Sequence, residues 1–285
     1  MLLMARGAAE AHEVYEEAIA FLTRRGLTHN RLWNSAEDAW CLYDLGAWDE
    51  LVARADALLA EAEDFDPGFA GGQLGALVMP WKAHVLLRRG NVAAADELLR
   101  KVMPAARAAR DSQVTGPALA AAAVAEQSRG DLDAAVAYID EFDTALAGRA
   151  DWHRARFLTD FVGICIAAGA YERGLRLVES IEVIAGRTDP AHAAARGLLA
   201  EARGDYEDAL DLQSAAVAGC EEFAITLGRG EALFAAGRCL VVLGRHDEAA
   251  LKLTDARAVF AALGARPLVG QIDDVAGEPP ARMPA

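Results

Sequence analysis

Acidic side chains have the best claim to catalytic chemistry in this chain, because two carboxylates held at a fixed separation can hydrolyse a glycosidic bond. The candidate pairs are Asp160 with Glu201 and Asp38 with Asp44. Most of the acids, however, fall where helices are predicted to begin or on solvated faces. The 19 aromatic residues are spread along the chain instead of gathering around a sugar site. An all-α hydrolase is therefore the third interpretation, behind two binding functions.

Other catalytic and cofactor motifs do not occur in the sequence. A phosphate-binding loop needs Gly-Lys-Ser/Thr, and glycine precedes none of the three lysines, Lys82, Lys101 and Lys252. There is no Gly-x-Gly-x-x-Gly, no Gly-x-Ser-x-Gly and no His-Glu-x-x-His, and the six histidines are scattered. We therefore expect a protein that is not an enzyme and that holds no cofactor and no metal. The four cysteines form no Cys-x-x-Cys pair and are predicted to be buried small apolar residues: Cys41, Cys165, Cys220 and Cys239.

Composition favours an all-α protein. Of 285 residues 65 are alanine, which is the best helix former and a poor strand former. The net charge is −15, which argues against binding to nucleic acid or to an anionic membrane surface. The longest strongly apolar run, 161–168, is much shorter than the ~18 residues of a membrane-spanning helix. The first residues lack the pattern of a signal peptide, so we expect a cytoplasmic protein.

One short element recurs six times: a glycine, any residue, a large residue, usually an acid, any residue and usually a small residue. The spacings between the glycines are 44, 40, 39, 35 and 40 residues. Such regular recurrence indicates internal repeats. The six elements begin at Gly46, Gly90, Gly130, Gly169, Gly204 and Gly244.

The element fits the turn of a helix hairpin. Glycine ends a helix in a left-handed turn at little steric cost, and an acid is favoured in the first turn of the next helix. Five of the six residues that stand seven positions before the glycines are alanine or glycine, which predicts close contact between the paired helices. The column consists of Ala39, Ala83, Ala123, Val162, Gly197 and Gly237.

Each repeat is thus predicted to contain an A helix, the glycine turn and a B helix. Pro80 is expected to kink the second A helix, and the glycines at its start are expected to make that region irregular. The A helices are predicted over 28–45, 68–89, 115–129, 151–168, 189–203 and 222–243. The B helices are predicted over 48–63, 92–110, 132–148, 171–185, 206–220 and 246–263.

These residues resemble the tetratricopeptide repeat family, whose turn reads Gly-x-Tyr-x-x-Ala. The run Gly204-Asp205-Tyr206-Glu207-Asp208-Ala209 matches that turn directly. The repeat spacing exceeds the family's usual 34 residues. The stretch 256–267 also resembles the end of the repeat arrays in large bacterial signalling ATPases and LuxR-type regulators. The resemblance covers 28–265 and implies a right-handed superhelical solenoid of about six hairpins.

The resemblance suggests three regions. Residues 1–27 would form a leading helix, which looks like the B helix of an incomplete repeat. Residues 28–265 would form the repeat domain, and residues 266–285 a short helix followed by a disordered tail. A leading B helix without its A helix leaves two interpretations open: a piece of a longer regulator or a stand-alone relative.

In tetratricopeptide arrays the A helices line a concave groove that usually holds the ligand. The corresponding positions here include aromatic residues, which are frequent at binding hot spots, and arginines, which can hold a carboxylate. For each of these residues, packing between helices is the alternative to groove exposure. The predicted groove residues are Trp33, Trp40, Tyr43, His84, Arg88, Gln127, Arg156, Thr159, Glu201, Glu231 and Arg238.

We therefore expect a non-catalytic scaffold that binds a protein or peptide partner in bacterial signalling or transcriptional regulation, and the cationic groove residues favour an acidic partner. The alternative is the sensor arm of a regulatory ATPase, in which a small-molecule effector enters the superhelix. A scaffold predicts an extended open groove. A sensor predicts a closed pocket of mixed polarity near Trp33, Trp40 and His84.

Overall fold

The computed structural model describes residues 7–109, 111–149, 151–182 and 188–277, and over these residues the chain forms helices and no strand. A short π-helical segment, Ala70–Leu74, precedes α6. The helices are α1 Ala8–Arg24, α2 Thr28–Glu37, α3 Ala39–Leu45, α4 Trp48–Phe65, α5 Pro67–Phe69, α6 Gly75–Arg88, α7 Val92–Ala109, α8 Ser112–Arg129, α9 Leu132–Ala145, α10 Asp151–Ala155, α11 Leu158–Ala167, α12 Tyr171–Glu179, α13 Thr188–Arg203, α14 Tyr206–Glu222, α15 Thr226–Val242, α16 His246–Leu263 and α17 Arg266–Gly277.

The six predicted turns are present, and their glycines share one backbone conformation. All six have positive φ, between 70° and 86°, in the left-handed region that favours glycine. At the fifth turn, the Gly204 N–H donates to the Glu201 carbonyl and the Asp205 N–H to the Ala200 carbonyl, each at 3.0 Å. These bonds cap the last carbonyls of α13 before α14 begins.

The predicted column of small residues lies at close helix contacts. A Cβ atom on Gly197 would lie 2.5 Å from Gln213 Nε2, and one on Gly237 would lie 2.6 Å from Leu253 Cδ2. Ala39, Ala83 and Ala123 are buried as well. Small side chains at this position therefore let each A helix pack directly on its B helix.

Three of the predicted A helices are interrupted. The first is divided at Asp38 into α2 and α3, and the fourth is divided into α10 and α11. Before α6 the irregular winding lies at Gly72, whose φ of −94° and ψ of −109° are not helical. Pro80 lies inside α6, which remains α-helical over its whole length.

The end of the array packs against its beginning. The Thr226 hydroxyl on α15 donates to the Leu45 carbonyl at 2.9 Å, and Arg89 Nε donates to the Leu263 carbonyl at 3.1 Å. A Cβ on Gly90 would touch Pro267 of α17 at 3.3 Å. The sixth repeat and the last helix thus contact the turns of the first two repeats, and the solenoid curls back on itself.

The four cysteines are free and buried, as the sequence predicts. Among the described residues, no helix is long and apolar enough to cross a membrane. The predicted first residues of the leading helix and the predicted tail, 278–285, lie outside the described residues. The division into domains and the handedness of the superhelix remain predictions.

The left-handed turn gives a direct test of the repeat register. We expect Gly204→Val to lower the free energy of unfolding by about 1 kcal/mol or more, because a β-branched residue is strained at φ 86°. Gly204→Asn is the matched control, because asparagine tolerates this conformation and should cost less. Urea denaturation measures both, and equal stability of the valine variant and the parent would contradict the assignment.

Candidate functional site

The inner faces of the A helices line a half-open cleft of about 580 Å³, which we call the central cleft. Helices of the second to sixth repeats form its walls, and α17 covers one side. Its volume lies in the usual range for small-molecule sites, ~300–1,000 Å³. The lining consists of Leu87, Arg88, Gly90, Val92, Val124, Gln127, Ser128, Thr159, Asp160, Gly163, Leu198, Gln213, Glu231, Phe234, Ala235, Arg238, Pro267, Leu268 and Gln271.

Five of the eleven predicted groove residues line the central cleft together: Arg88, Gln127, Thr159, Glu231 and Arg238. The other six lie elsewhere on the A helices, as described below. Asp160, Gln213 and three residues of α17 also line the cleft, although they were not among the predicted groove positions. The sequence could have indicated Gln213, because it is a polar residue in the apolar stripe of α14 formed by Ala209, Ala216 and Cys220.

Arg88, at the end of α6, binds carboxylates from two other repeats. Its Nη2 donates to Asp160 of α11, and its Nη1 lies 3.4 Å from Glu231 Oε1 of α15. The three side chains are only 12%, 18% and 22% exposed, respectively. One guanidinium therefore joins the second, fourth and sixth repeats across the wall of the central cleft.

Glu231 is the less well compensated of the two carboxylates. Burial raises its pKa to about 7, Asp160 adds to the rise, and the attraction of Arg88 offsets only part of it. An acid whose pKa is higher in the folded chain is stabilised there in its protonated form. This group therefore reduces stability as the pH rises from about 4.5 through about 7.

The second basic residue of the cleft, Arg238, is held by Glu201. Its Nε and Nη2 donate to the two carboxylate oxygens of Glu201, both at 2.8 Å. The guanidinium also lies over the ring of Phe234, 4.6 Å from its centroid. This bidentate geometry fixes the orientation of the Arg238 guanidinium, and the Glu201 carboxylate neutralises its positive charge.

Gln213 reaches the cleft from a B helix and is 1% exposed. Its Nε2 donates to the Ala194 carbonyl at 3.1 Å, which fixes the orientation of the amide, because the reversed amide would place two acceptors together. Within the described part of the chain, Oε1 is buried without a hydrogen-bond partner. A buried acceptor of this kind is costly unless a donor reaches it.

A second feature of the A-helix face is an aromatic cluster around Arg156. The guanidinium lies over the rings of Trp40 and Trp81, at 4.8 and 5.0 Å, and its Nη1 donates to Asp44 Oδ1 at 3.2 Å. These residues flank a cavity of only about 30 Å³, which is far too small for an organic ligand. Burial lowers the pKa of Arg156 to about 10, so it stays charged at neutral pH. This cluster joins the fourth repeat to the first.

The remaining predicted aromatic residues pack against neighbours. Tyr43 stacks on Trp48 with ring centroids 5.6 Å apart. Trp33 Nε1 donates to Glu37 at 2.9 Å. His84 is 1% exposed, and its Nε2 carries the proton, because it lies 3.1 Å from the Pro117 carbonyl, which can only accept. Burial lowers the pKa of His84 to about 4, so it is neutral at physiological pH.

The acids proposed for glycoside hydrolysis are bound to basic side chains. Of the four, only Asp160 lines the central cleft. The partners are Arg88 for Asp160, Arg238 for Glu201, His12 and Arg54 for Asp38, and Arg156 for Asp44.

One group of side chains has a composition that suits a metal ion. Oxygen or nitrogen atoms of His12, Glu16 and Asp38 lie within 4.8 Å of one another. Arg54 binds the same carboxylates, with its Nη2 2.7 Å from Glu16 and its Nη1 3.4 Å from Asp38. Because a guanidinium already supplies the positive charge, the group acts as an ion-pair network between α1, α4 and the break at Asp38.

The stability of the fold should depend strongly on the ion pair between Arg156 and Asp44. We expect Arg156→Met to lower the free energy of unfolding by about 3–5 kcal/mol, because Asp44, 5% exposed, loses its arginine. The double variant Asp44→Asn/Arg156→Met should be more stable than Arg156→Met alone. Thermal and urea unfolding of the parent, of Arg156→Met, of Asp44→Asn and of the double variant measures this coupling, and purely additive effects would contradict a stabilising ion pair.

No protein-family model matches the chain, and no curated protein matches its sequence. The chain is similar in structure to a Signal Transduction ATPase with Numerous Domains (STAND) protein from Pyrococcus horikoshii, described as having a tetratricopeptide repeat sensor. The TM-score is 0.50 at 14% identity, and the match covers 95% of this chain and 45% of that one. This chain thus spans less than half of the length of that protein. At this identity the similarity shows the fold alone: an all-α, solenoid-like array of tetratricopeptide-like helical repeats.

Proposed function

We propose that this chain is a non-catalytic sensor module that binds a small molecule in the central cleft. The observation that carries the proposal is the cleft itself: about 580 Å³, walled by the inner faces of five repeats. Apolar side chains form part of the lining, and a few charged and amide groups converge on it, as in small-molecule sites generally.

The closure of the array favours a small molecule over an extended peptide. A peptide in the concave groove needs an open path along the A helices. Here the contacts between Thr226 and Leu45 and between Arg89 and Leu263 join the two ends of the array, and α17 covers one side of the cleft. A protein partner would then bind another face, and a signalling partner of this kind is part of the proposal.

The arrangement also suggests how binding would be reported. A ligand in the central cleft contacts elements from the second to the sixth repeat, so it stabilises the arrangement in which these repeats are close together. A ligand shifts a conformational equilibrium by its difference in affinity for the two states. The STAND protein from Pyrococcus horikoshii is described as carrying its repeats as a sensor, which agrees with such a role. A regulatory ATPase partner and a bacterial cytoplasmic setting belong to the same proposal.

Gly163 offers a way to fill the cleft without disturbing the packing. It lies on α11 in the cleft wall, and no heavy atom lies within 4 Å of the position of an added Cβ. We expect a screen of small polar metabolites by thermal unfolding to give ligands that raise the Tm of the parent by several degrees. Gly163→Leu should abolish these shifts while keeping or raising the Tm without ligand, because leucine has a higher helix propensity than glycine.

Gly270→Leu is the matched control for this experiment. Gly270 is also helical with open space around it, but it is exposed on α17 and does not line the cleft. The control should keep the ligand-induced shifts. Ligands that stabilise Gly163→Leu as much as the parent bind elsewhere, and that result would refute the cleft as the sensing site.

A further inference from the structure

The charged groups at the wall of the central cleft do not balance once Glu201, which lies outside the lining, is counted with them. Two are basic, Arg88 and Arg238, and two are acidic, Asp160 and Glu231. Arg238 is already engaged by both oxygens of Glu201. Arg88 is therefore the one basic group of the lining that serves Asp160 and Glu231, and this part of the wall is one positive charge short.

Burial makes this imbalance significant. Asp160 and Glu231 are 18% and 22% exposed, so water compensates them only in part. The charged and titratable groups that face Glu231 come from three helices: Arg88 on α6, Asp160 on α11 and Tyr43 on α3. None of them other than Arg88 is a cation. The cleft thus presents a partly buried negative site that a cation of suitable size would neutralise.

The buried amide of Gln213 is a second feature, independent of the charges. It is more than nine-tenths buried, it lines the cleft, and its Oε1 has no donor among the described residues. Its orientation is fixed by the bond to the Ala194 carbonyl. A hydrogen-bond donor that approaches this amide from the cleft would satisfy the oxygen and offset the cost of its burial.

We propose that the ligand of the central cleft carries a protonated amine, whose ammonium group binds the carboxylates of Glu231 and Asp160. This inference rests on the proposed sensing function and specifies the class of ligand. An ammonium group supplies three donors and no acceptor, which suits a wall that carries two carboxylates on one arginine. Phe234 and the neighbouring apolar side chains accommodate the carbon skeleton.

Other ligand charges fit less well. A carboxylate would add a third negative group beside Arg88. A neutral alcohol could donate to Gln213 but would leave the charge imbalance in place.

Three probes of one shape and different charge test the proposal: cyclohexylamine, cyclohexanol and cyclohexanecarboxylate, each titrated into the full chain by calorimetry. The amine is expected to bind with one site and at least tenfold more tightly than the other two. Glu231→Gln should remove that advantage. Glu248→Gln, at an exposed acid paired with Arg245, is the control and should bind like the parent.

The pH dependence supplies a second readout. The amine titrates near a pKa of about 10, as lysine does, so it stays charged at neutral pH. Glu231, with its pKa raised to about 7, must ionise in order to pair. Binding is therefore expected to be about tenfold weaker at about pH 6 than at about pH 8. Glu231→Gln should flatten this profile.

The outcomes separate the ligand class from the site. If the alcohol or the carboxylate binds as tightly as the amine, and Gly163→Leu abolishes that binding, the cleft is a ligand site but the amine proposal is wrong. Amine binding that Glu231→Gln leaves unchanged, or no binding of the amine at millimolar concentration, also refutes the ligand class. If no metabolite binding depends on Gly163, the sensing function itself fails.

Discussion

A single guanidinium holds together parts of the chain that are far apart in sequence. Arg88 belongs to the second repeat, and the carboxylates that it binds belong to the fourth and the sixth. Because these three side chains lie on the inner faces of their helices, their contact requires the array to be strongly curved. The central cleft is the space that this curvature leaves between the same helices. The position of Arg88 therefore links the closure of the fold to the properties of the candidate site.

Short distances within each hairpin make this curvature possible. Gly197 and Gly237 allow their A helices to touch the facing side chains of the B helices, and the left-handed glycine at each turn reverses the chain within a few residues. At the closure, Thr226 donates to the Leu45 carbonyl and Arg89 to the Leu263 carbonyl, and close packing adds to these bonds, since a Cβ on Gly46 would lie 2.9 Å from Leu263 Cδ2.

Local features of the fold could be predicted from the sequence, and long-range ones could not. The turns were predictable because glycine is the residue that a left-handed turn favours, and the small-residue column because close helices exclude larger side chains. The interruption at Asp38 was not predictable from helix propensity, since it coincides with bonds from Asp38 to His12 and Arg54 on other helices. Five groove positions lie in the cleft because register determines which face of an A helix points inward. Trp40 and Arg156 were assigned to a groove by the same rule, but Arg156 packs over the rings of Trp40 and Trp81 and binds Asp44.

Charge balance connects the stability of the module to its proposed function. A fold optimised for stability alone would place a second cation, or a neutral residue, beside Asp160 and Glu231. The chain instead keeps two carboxylates on one arginine, together with a buried amide oxygen that has no donor among the residues that the structure describes. Unsatisfied groups are usually rare in native structures and concentrate at functional sites. A ligand that supplies the missing charge and the missing donor would remove both costs at once. The affinity for the ligand would then come from the same charge imbalance that lowers the stability of the fold without ligand. Binding would therefore tighten the contacts between the second, fourth and sixth repeats.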